Sequence, residues 1–246
     1  MRPALAALLT CIALPAFAFD PAQMTEAERA AFQAEVRAFL MENPQVIMDA
    51  VKVLDDQKAA AEVMADKELV EAYRTALFDD PTAWVGGNPD GDITLVEFMD
   101  YQCGYCRKAH AEVAELVASD GRIRYILKEY PILGEGSVLA ARFAISVRQI
   151  AGDDAYKSAH DALITLRGDV TPDALDRLAV SLGLDAQAIA ARMNTAEVTA
   201  VIDANHALGQ EMNINGTPTF IVDGQMLRGY VPLEGMRQVV AEERAG

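Results

Sequence analysis

Cysteine is scarce in this chain, with three in 246 residues, and Cys11 falls in an N-terminal stretch expected to be removed. That scarcity excludes a small disulfide-stapled scaffold, which carries many cysteines because it has little core. Positive charge is scarce as well. Lys and Arg number 21 against 37 Asp and Glu, a formal charge of −16, which argues against nucleic acid and anionic membrane surfaces as partners. Beyond the N-terminus no apolar run approaches the roughly 20 residues needed to cross a bilayer. What the chain has instead is 52% hydrophobic residues, enough to bury a sizeable core without staples.

The first 18 residues carry one positive charge at Arg2, an apolar run from Ala4 to Leu14, and then Ala16-Phe17-Ala18. This is the pattern of a secretory signal peptide cleaved after Ala18. The apolar run is too short for a transmembrane anchor. Acylation of Cys11 as a lipoprotein is the other reading, and the very short apolar run before it and the bulky Thr10 count against it. Export would remove Arg2 and Cys11 together, taking the formal charge from −16 to −17. The mature chain is then left with one Cys-x-x-Cys pair, Cys103-Gly104-Tyr105-Cys106.

Residues 19–80 read as a helical arm, helix almost throughout from Thr25 to Phe78. Thr25 and Glu28 are placed to cap a helix bearing Phe32, Val36, Phe39 and Leu40, and Asn43-Pro44 interrupts it because proline lacks the amide donor. Ile47, Ala50, Val51 and Leu54 mark a second helical face, and Leu69, Tyr73 and Leu77 a third. Such an arm packs either on its own domain or on another copy of itself. Turn-forming residues within 81–91 read as a linker. Strand (Ile93 to Phe98), helix (Cys106 to Val117) and strand (Arg122 to Glu129) then form a βαβ unit. Helices follow over about 137–210, with one expected from Asp185 to Leu208. The chain closes with a hairpin whose turn, Asp223-Gly224, uses glycine for the positive φ, and a last helix from Pro232.

A cysteine pair at a strand-to-helix junction puts the first sulfur at the helix N-terminus, where unpaired amides and the macrodipole favour a thiolate. Cys103 is thus the expected attacking sulfur and Cys106, one turn in, the buried resolving thiol. An inert structural disulfide is one rival reading. A structural zinc site is another, but it needs four ligands. His110 follows Cys106 at helical spacing, yet His160 and His206 supply no recognisable second half, so His110 is read as an ordinary helix-surface residue.

The stretch Val96-Glu97-Phe98-Met99-Asp100-Tyr101-Gln102-Cys103-Gly104-Tyr105-Cys106, followed far downstream by Asn215-Gly216-Thr217-Pro218-Thr219-Phe220, resembles the thioredoxin-fold Dsb proteins of bacterial periplasms from about Asp92 onward. The resemblance implies an α/β thioredoxin fold over 92–246 with a DsbA-like helical insertion, preceded by the helical arm. It implies that Pro218 is a cis-proline, that the Thr217 backbone pairs with a client peptide beside Gly104 and Tyr105, and that Glu97 is a buried acid relaying the proton of the resolving thiol. DsbA resembles Cys-Pro-His-Cys with Val before its proline, whereas Gly104-Tyr105 and Thr217 resemble the isomerase DsbC. Without the histidine, Cys103 is expected to be less acidic, and the pair less oxidising, than in DsbA. The segment Leu40-Met41-Glu42-Asn43-Pro44-Gln45-Val46-Ile47 resembles the oligomerisation arm of ScsC-type proteins.

The expectation is a periplasmic thiol-disulfide oxidoreductase, an isomerase or shuffling enzyme, that is homo-oligomeric through 19–80. Its partners would be unfolded or wrongly disulfide-bonded proteins and a membrane or periplasmic redox protein, with no nucleic acid, no cofactor and no metal. A monomeric DsbA-like oxidase is the alternative, with a copper-handling thiol module behind it.

Overall fold

The computed structural model describes residues 24–245, so the expected signal peptide and its cleavage point lie outside the described residues. The chain divides into two units, Met1–Lys58 and Ala59–Gly246. In the first, helix α1 (Glu26–Glu42) opens with a capping box. The Glu28 amide donates to Thr25 Oγ1 at 3.3 Å, and the Thr25 amide donates to Glu28 Oε2 at 2.9 Å. Two of the orphan donors of a helix start are thereby satisfied. Asn43 ends α1, its amide donating to the Phe39 carbonyl at 2.8 Å, and α2 (Gln45–Ala72) starts directly after Pro44. No residue of α1 is buried. Val36 and Phe39 on α1, with Ile47, Val51 and Leu54 on α2, are exposed.

In the second unit the end of α2 leads into α3 (Arg74–Phe78), β1 (Trp84–Gly87), β2 (Ile93–Met99), α4 (Gly104–Asp120) and β3 (Ile123–Glu129). Five helices follow: α5 (Glu135–Ala151), α6 (Asp153–Ile164), α7 (Pro172–Ser181), α8 (Ala186–Met193) and α9 (Ala196–Glu211). Strands β4 (Thr219–Val222) and β5 (Gln225–Arg228) and helix α10 (Leu233–Ala245) complete it. The sheet order is β1-β3-β2-β4-β5, with β2 and β3 parallel and the other neighbours antiparallel. The fold is thioredoxin-like with inserted helices.

Alternation along β2 sorts its side chains onto two cores, because successive residues of a strand point to opposite faces. Ile93, Leu95 and Met99 pack with Cys106, Ala109, Val113 and Leu116 of α4. Val96 and Phe98 pack on the other side with Val70, Leu77, Phe78 and Leu208. Glu97 shares the parity of Leu95 and Met99, which directs it under α4. Gly121 ends α4 in the left-handed region, at φ 70°, a conformation that costs glycine nothing.

Of the two packings open to the arm, its inner end takes the first, since Val70, Leu77 and Phe78 are core residues of the second unit. Three expectations need correction. The supposed linker 81–91 contains β1, paired antiparallel with β3 from Trp84 opposite Leu127 to Gly87 opposite Arg124. Its glycines read as turn residues, but β3 supplies a ladder and Trp84 an anchor, stacked on Tyr156 and edge-on to Tyr125. The helix expected from Asp185 to Leu208 is two, broken at Asn194-Thr195. In the hairpin turn the positive φ falls on Asp223, at 46°, because Asp223 is clamped to β2. Its carboxylate accepts from the Thr94 amide at 2.8 Å, and its amide donates to the Thr94 carbonyl at 2.9 Å.

The inner end of the arm is also tied by charge. Lys128, fully buried on β3, donates to the Ala76 carbonyl at 2.8 Å and pairs with the Asp80 carboxylate. Asp66 of α2 takes the Arg228 guanidinium of edge strand β5 in a bidentate pair. Leu77→Ala should therefore behave as a core truncation, costing about 2–5 kcal/mol in denaturant unfolding. A cost below about 1 kcal/mol, the level of a surface change, would show that α3 is not part of the core.

Candidate functional site

The site is built on the turn that joins β2 to α4. Asp100, buried just past the end of β2, accepts from the Gln102 amide at 2.7 Å through Oδ1. Through Oδ2 it accepts from the Ile132 and Leu133 amides at 2.8 and 3.0 Å. Arg107 adds a second brace, donating to the carbonyls of Tyr101 at 2.9 Å and Leu166 at 2.8 Å. The turn thus presents Cys103 as the N-cap of α4.

Cys103 Sγ lies 3.0 Å from the carbonyl oxygen of Thr217, and the Thr217-Pro218 peptide bond is cis. Its pKa is lowered from 9.0 to about 5. The Cys106 thiol donating to its sulfur is the largest cause, followed by the Thr217 side chain and the Cys106 and Tyr105 amides, all against the opposing effect of burial. The neutral thiol can donate to the Thr217 carbonyl. Once ionised it attracts donors instead, and the buried Thr217 hydroxyl has no other partner among the described residues. Cys106, 1% exposed, is pushed strongly upward, first by its bond to Cys103, then by burial and the charge of Glu97. One sulfur is thereby disposed to ionise and the other to keep its proton.

Glu97 is 4% exposed. Burial raises its pKa from 4.5 to about 7, against the lowering effect of the Tyr125 hydroxyl that donates to Oε2, and the Cys103 charge raises it further. A carboxyl group poised near neutrality beneath two thiols can accept or supply a proton at the pH where thiol exchange runs. Around the sulfurs, Tyr105 is 62% exposed and stacks on Tyr230 with ring centroids 6.2 Å apart. Lys108 sits 4.1 Å over the Tyr230 ring, and nothing lies within 4 Å of where a Cβ on Gly104 would stand.

The structure thus gathers Cys103, Gly104, Tyr105, Cys106, Glu97, Thr217 and Pro218 in one place. Two further residues were given no role from the sequence. Asp100 has the signal of an Asx turn, an acid accepting from the amide two residues on. Tyr125 was visible only as an alternating strand residue. His110, expected as an ordinary helix-surface residue, stands beside His160 with ring centroids 5.2 Å apart, a pairing that their separation in sequence hides.

A dithiol at a helix start, facing a cis-proline loop across the edge of a mixed sheet, defines a dithiol protein of thioredoxin fold. A family model described as thioredoxin matches residues 79–242, and one described as the copper resistance protein ScsC N-terminal domain matches residues 28–61. The chain belongs to the thioredoxin family. Among solved structures, a thioredoxin-like oxidoreductase from Silicibacter pomeroyi is 42% identical at a TM-score of 0.66, covering 70% of this chain and 98% of that one. The thiol-disulfide exchange protein alpha-DsbA2 of Wolbachia pipientis is 25% identical at 0.69, covering 74% and 98%. A linker-deleted variant of ScsC from Proteus mirabilis, 22% identical, shares the fold at a TM-score of 0.67 over 92% of this chain and 99% of that one. The chain spans about a quarter of the length of the curated Na+/H+ antiporters it matches. No helix among the described residues is long and apolar enough to cross a membrane.

The Glu97 shift fixes a pH dependence. A carboxyl whose pKa is raised by folding contributes stability below its unfolded value of 4.5 and loses it as pH rises through about 7. Glu97→Gln, which stays neutral and still accepts from Tyr125, should gain stability relative to the reduced wild type between these pH values, reaching roughly 3 kcal/mol. Guanidinium midpoints at pH 5 and pH 8 would measure this. A difference that does not change with pH would mean that Glu97 titrates normally.

Proposed function

We propose that this protein is an exported, periplasmic thiol-disulfide oxidoreductase that isomerises or shuffles disulfides in protein clients. The observation that carries the reading is the division of labour between the two sulfurs at the start of α4, a stabilised thiolate at Cys103 and a buried protonated thiol at Cys106. Cys103 attacks one sulfur of a client disulfide, forming a mixed disulfide and releasing the other client sulfur as a thiolate. In isomerisation a client thiolate then attacks the client's sulfur of the mixed disulfide, so Cys103 leaves as it began. In the reductive exit Cys106 gives its proton to Glu97 and attacks Cys103, forming the Cys103–Cys106 disulfide and releasing a reduced client.

Thr217 offers backbone groups beside Cys103 that suit an extended client segment. Gly104 and the exposed Tyr105 leave the approach open to large, irregular substrates. A Cys103 pKa of about 5 lies between about 3.5 for DsbA and about 7 for thioredoxin. It is acidic enough to be ionised at neutral pH, and it makes for a milder oxidant than DsbA. No bound cofactor is needed, because electrons enter and leave by thiol exchange with a membrane or periplasmic redox protein.

The helical arm, residues 19–80 in the sequence reading, supports a homo-oligomer. Its outer part exposes Val36, Phe39, Ile47, Val51 and Leu54, a stripe that a second copy of the same arm would cover. Several thiol sites facing one misfolded client is the arrangement isomerisation favours. Replacing both Val51 and Leu54 with Asp should reduce the mass in light scattering to that of a monomer. The same variant should lose most of the reactivation of a scrambled disulfide protein while alkylation of Cys103 is unchanged. A wild type that is already monomeric would favour the monomeric oxidase, and a monomeric variant with full isomerase activity would overturn the need for an oligomer. Full activity of Cys103→Ser would overturn the exchange mechanism.

A further inference from the structure

We propose that His110, His160 and Asp161 form a binding site for a divalent transition-metal ion, of zinc-like preference, separate from the cysteine pair. One ligand atom of each lies within 4.8 Å of the other two, and His110 Nε2 is 3.2 Å from Asp161 Oδ1. Ligands of a tetrahedral zinc, about 2.0–2.1 Å from the metal, stand about 3.3 Å apart. One pair already has that spacing, and the third ligand atom stands no more than 4.8 Å from either of them.

The surroundings of His160 are those of a metal ligand. It is 3% exposed. Its Nδ1 lies 3.1 Å from the Tyr101 hydroxyl, which donates its single proton to Glu129 Oε1 at 2.8 Å. Tyr156 donates to the same oxygen at 2.7 Å. With the Tyr101 proton committed to Glu129, the Tyr101 oxygen accepts from His160 Nδ1–H, and the lone pair falls on Nε2. Metal-bound imidazoles are commonly held this way, the second nitrogen donating to a fixed acceptor that sets tautomer and orientation. The remaining histidine, His206, is engaged elsewhere, with Nε2 3.2 Å from the Pro131 carbonyl.

His110 and His160 also line a cavity of about 460 Å³ with Trp84, Asn88, Tyr125 and Lys157, which leaves room for a water or small anion as fourth ligand. Two imidazoles and one carboxylate suit a borderline ion better than calcium or magnesium, which take oxygen ligands. A competitor is already in place. Lys157 pairs with both oxygens of Asp161 at 2.7 and 2.5 Å, and its partly exposed side chain must swing out when the cation enters.

The test is zinc titration of the full mature chain with Cys103 and Cys106 oxidised to their disulfide, so that the thiols cannot ligate. One Zn²⁺ per chain is expected, weakened about tenfold or more by His110→Ala and by Asp161→Asn, and tightened by Lys157→Ala. His160 is buried in the core, so the argument rests on the two better-exposed ligands. With Co²⁺ as probe, the reduced wild type should show ligand-field bands that His110→Ala removes, without a thiolate charge-transfer band. Absence of Zn²⁺ binding, affinity unchanged in both ligand variants, or a Co²⁺ signal that follows the cysteines would overturn the site.

Discussion

The carboxylate of Asp100 is the constraint on which the site depends. Its two oxygens hold three backbone amides, one within the turn leading to Cys103 and two at the start of the loop after β3. A single buried side chain thereby fixes where β2 stops, where α4 begins and where the chain leaves the sheet for the inserted helices. A buried carboxylate is tolerated only when donors replace its water shell, and here those donors are backbone groups whose positions it dictates in return. The orientation of the first sulfur follows from this turn, and so does the direction in which α4 crosses the sheet.

From that turn the chemistry of the two thiols separates, chiefly through the hydrogen bond between them and their different burial. Cys103 and Cys106 lie one helical turn apart, so the first meets the free amides of the helix start while the second faces the sheet. Below them the parity of β2 brings in Glu97 with Tyr125 as its partner. The lowering at Cys103 comes mainly from hydrogen bonds, and the raising at Glu97 mainly from burial. The two shifts run in opposite directions and leave the thiol the more acidic of the pair, and environments that shift neighbouring groups in opposite senses are the usual way for acid and base roles to be separated in one site.

Much of this was legible in the sequence because it was carried by local signals. A lone Cys-x-x-Cys after an apolar strand, a Gly-Thr-Pro before another strand and a Thr-x-x-Glu before a helix each have a short-range physical meaning, and each stands where its pattern placed it. What escaped was non-local. Strand β1 was hidden because Gly86-Gly87 has turn chemistry and becomes a strand only through its ladder with β3. The inner arm residues Val70 and Leu77 have the same helical spacing as the exposed ones before them, so spacing could not tell which would be covered. His110 and His160 lie on different helices, and nothing in the stretch around either announces the other. In each case tertiary contact, rather than local propensity, decided the outcome.

The empty space beside Gly104 has a wider consequence. Most positions near the sulfurs are locked: Cys106, Glu97 and Tyr125 are packed against one another, and Asp100 has every bond committed to backbone. Gly104 and its exposed neighbour Tyr105 touch little that the fold requires. Side chains there can be exchanged during evolution without repacking the core, so the acidity of Cys103 can drift while the architecture stays constant. The dipeptide works as a tuning element whose setting is inherited separately from the machine it adjusts.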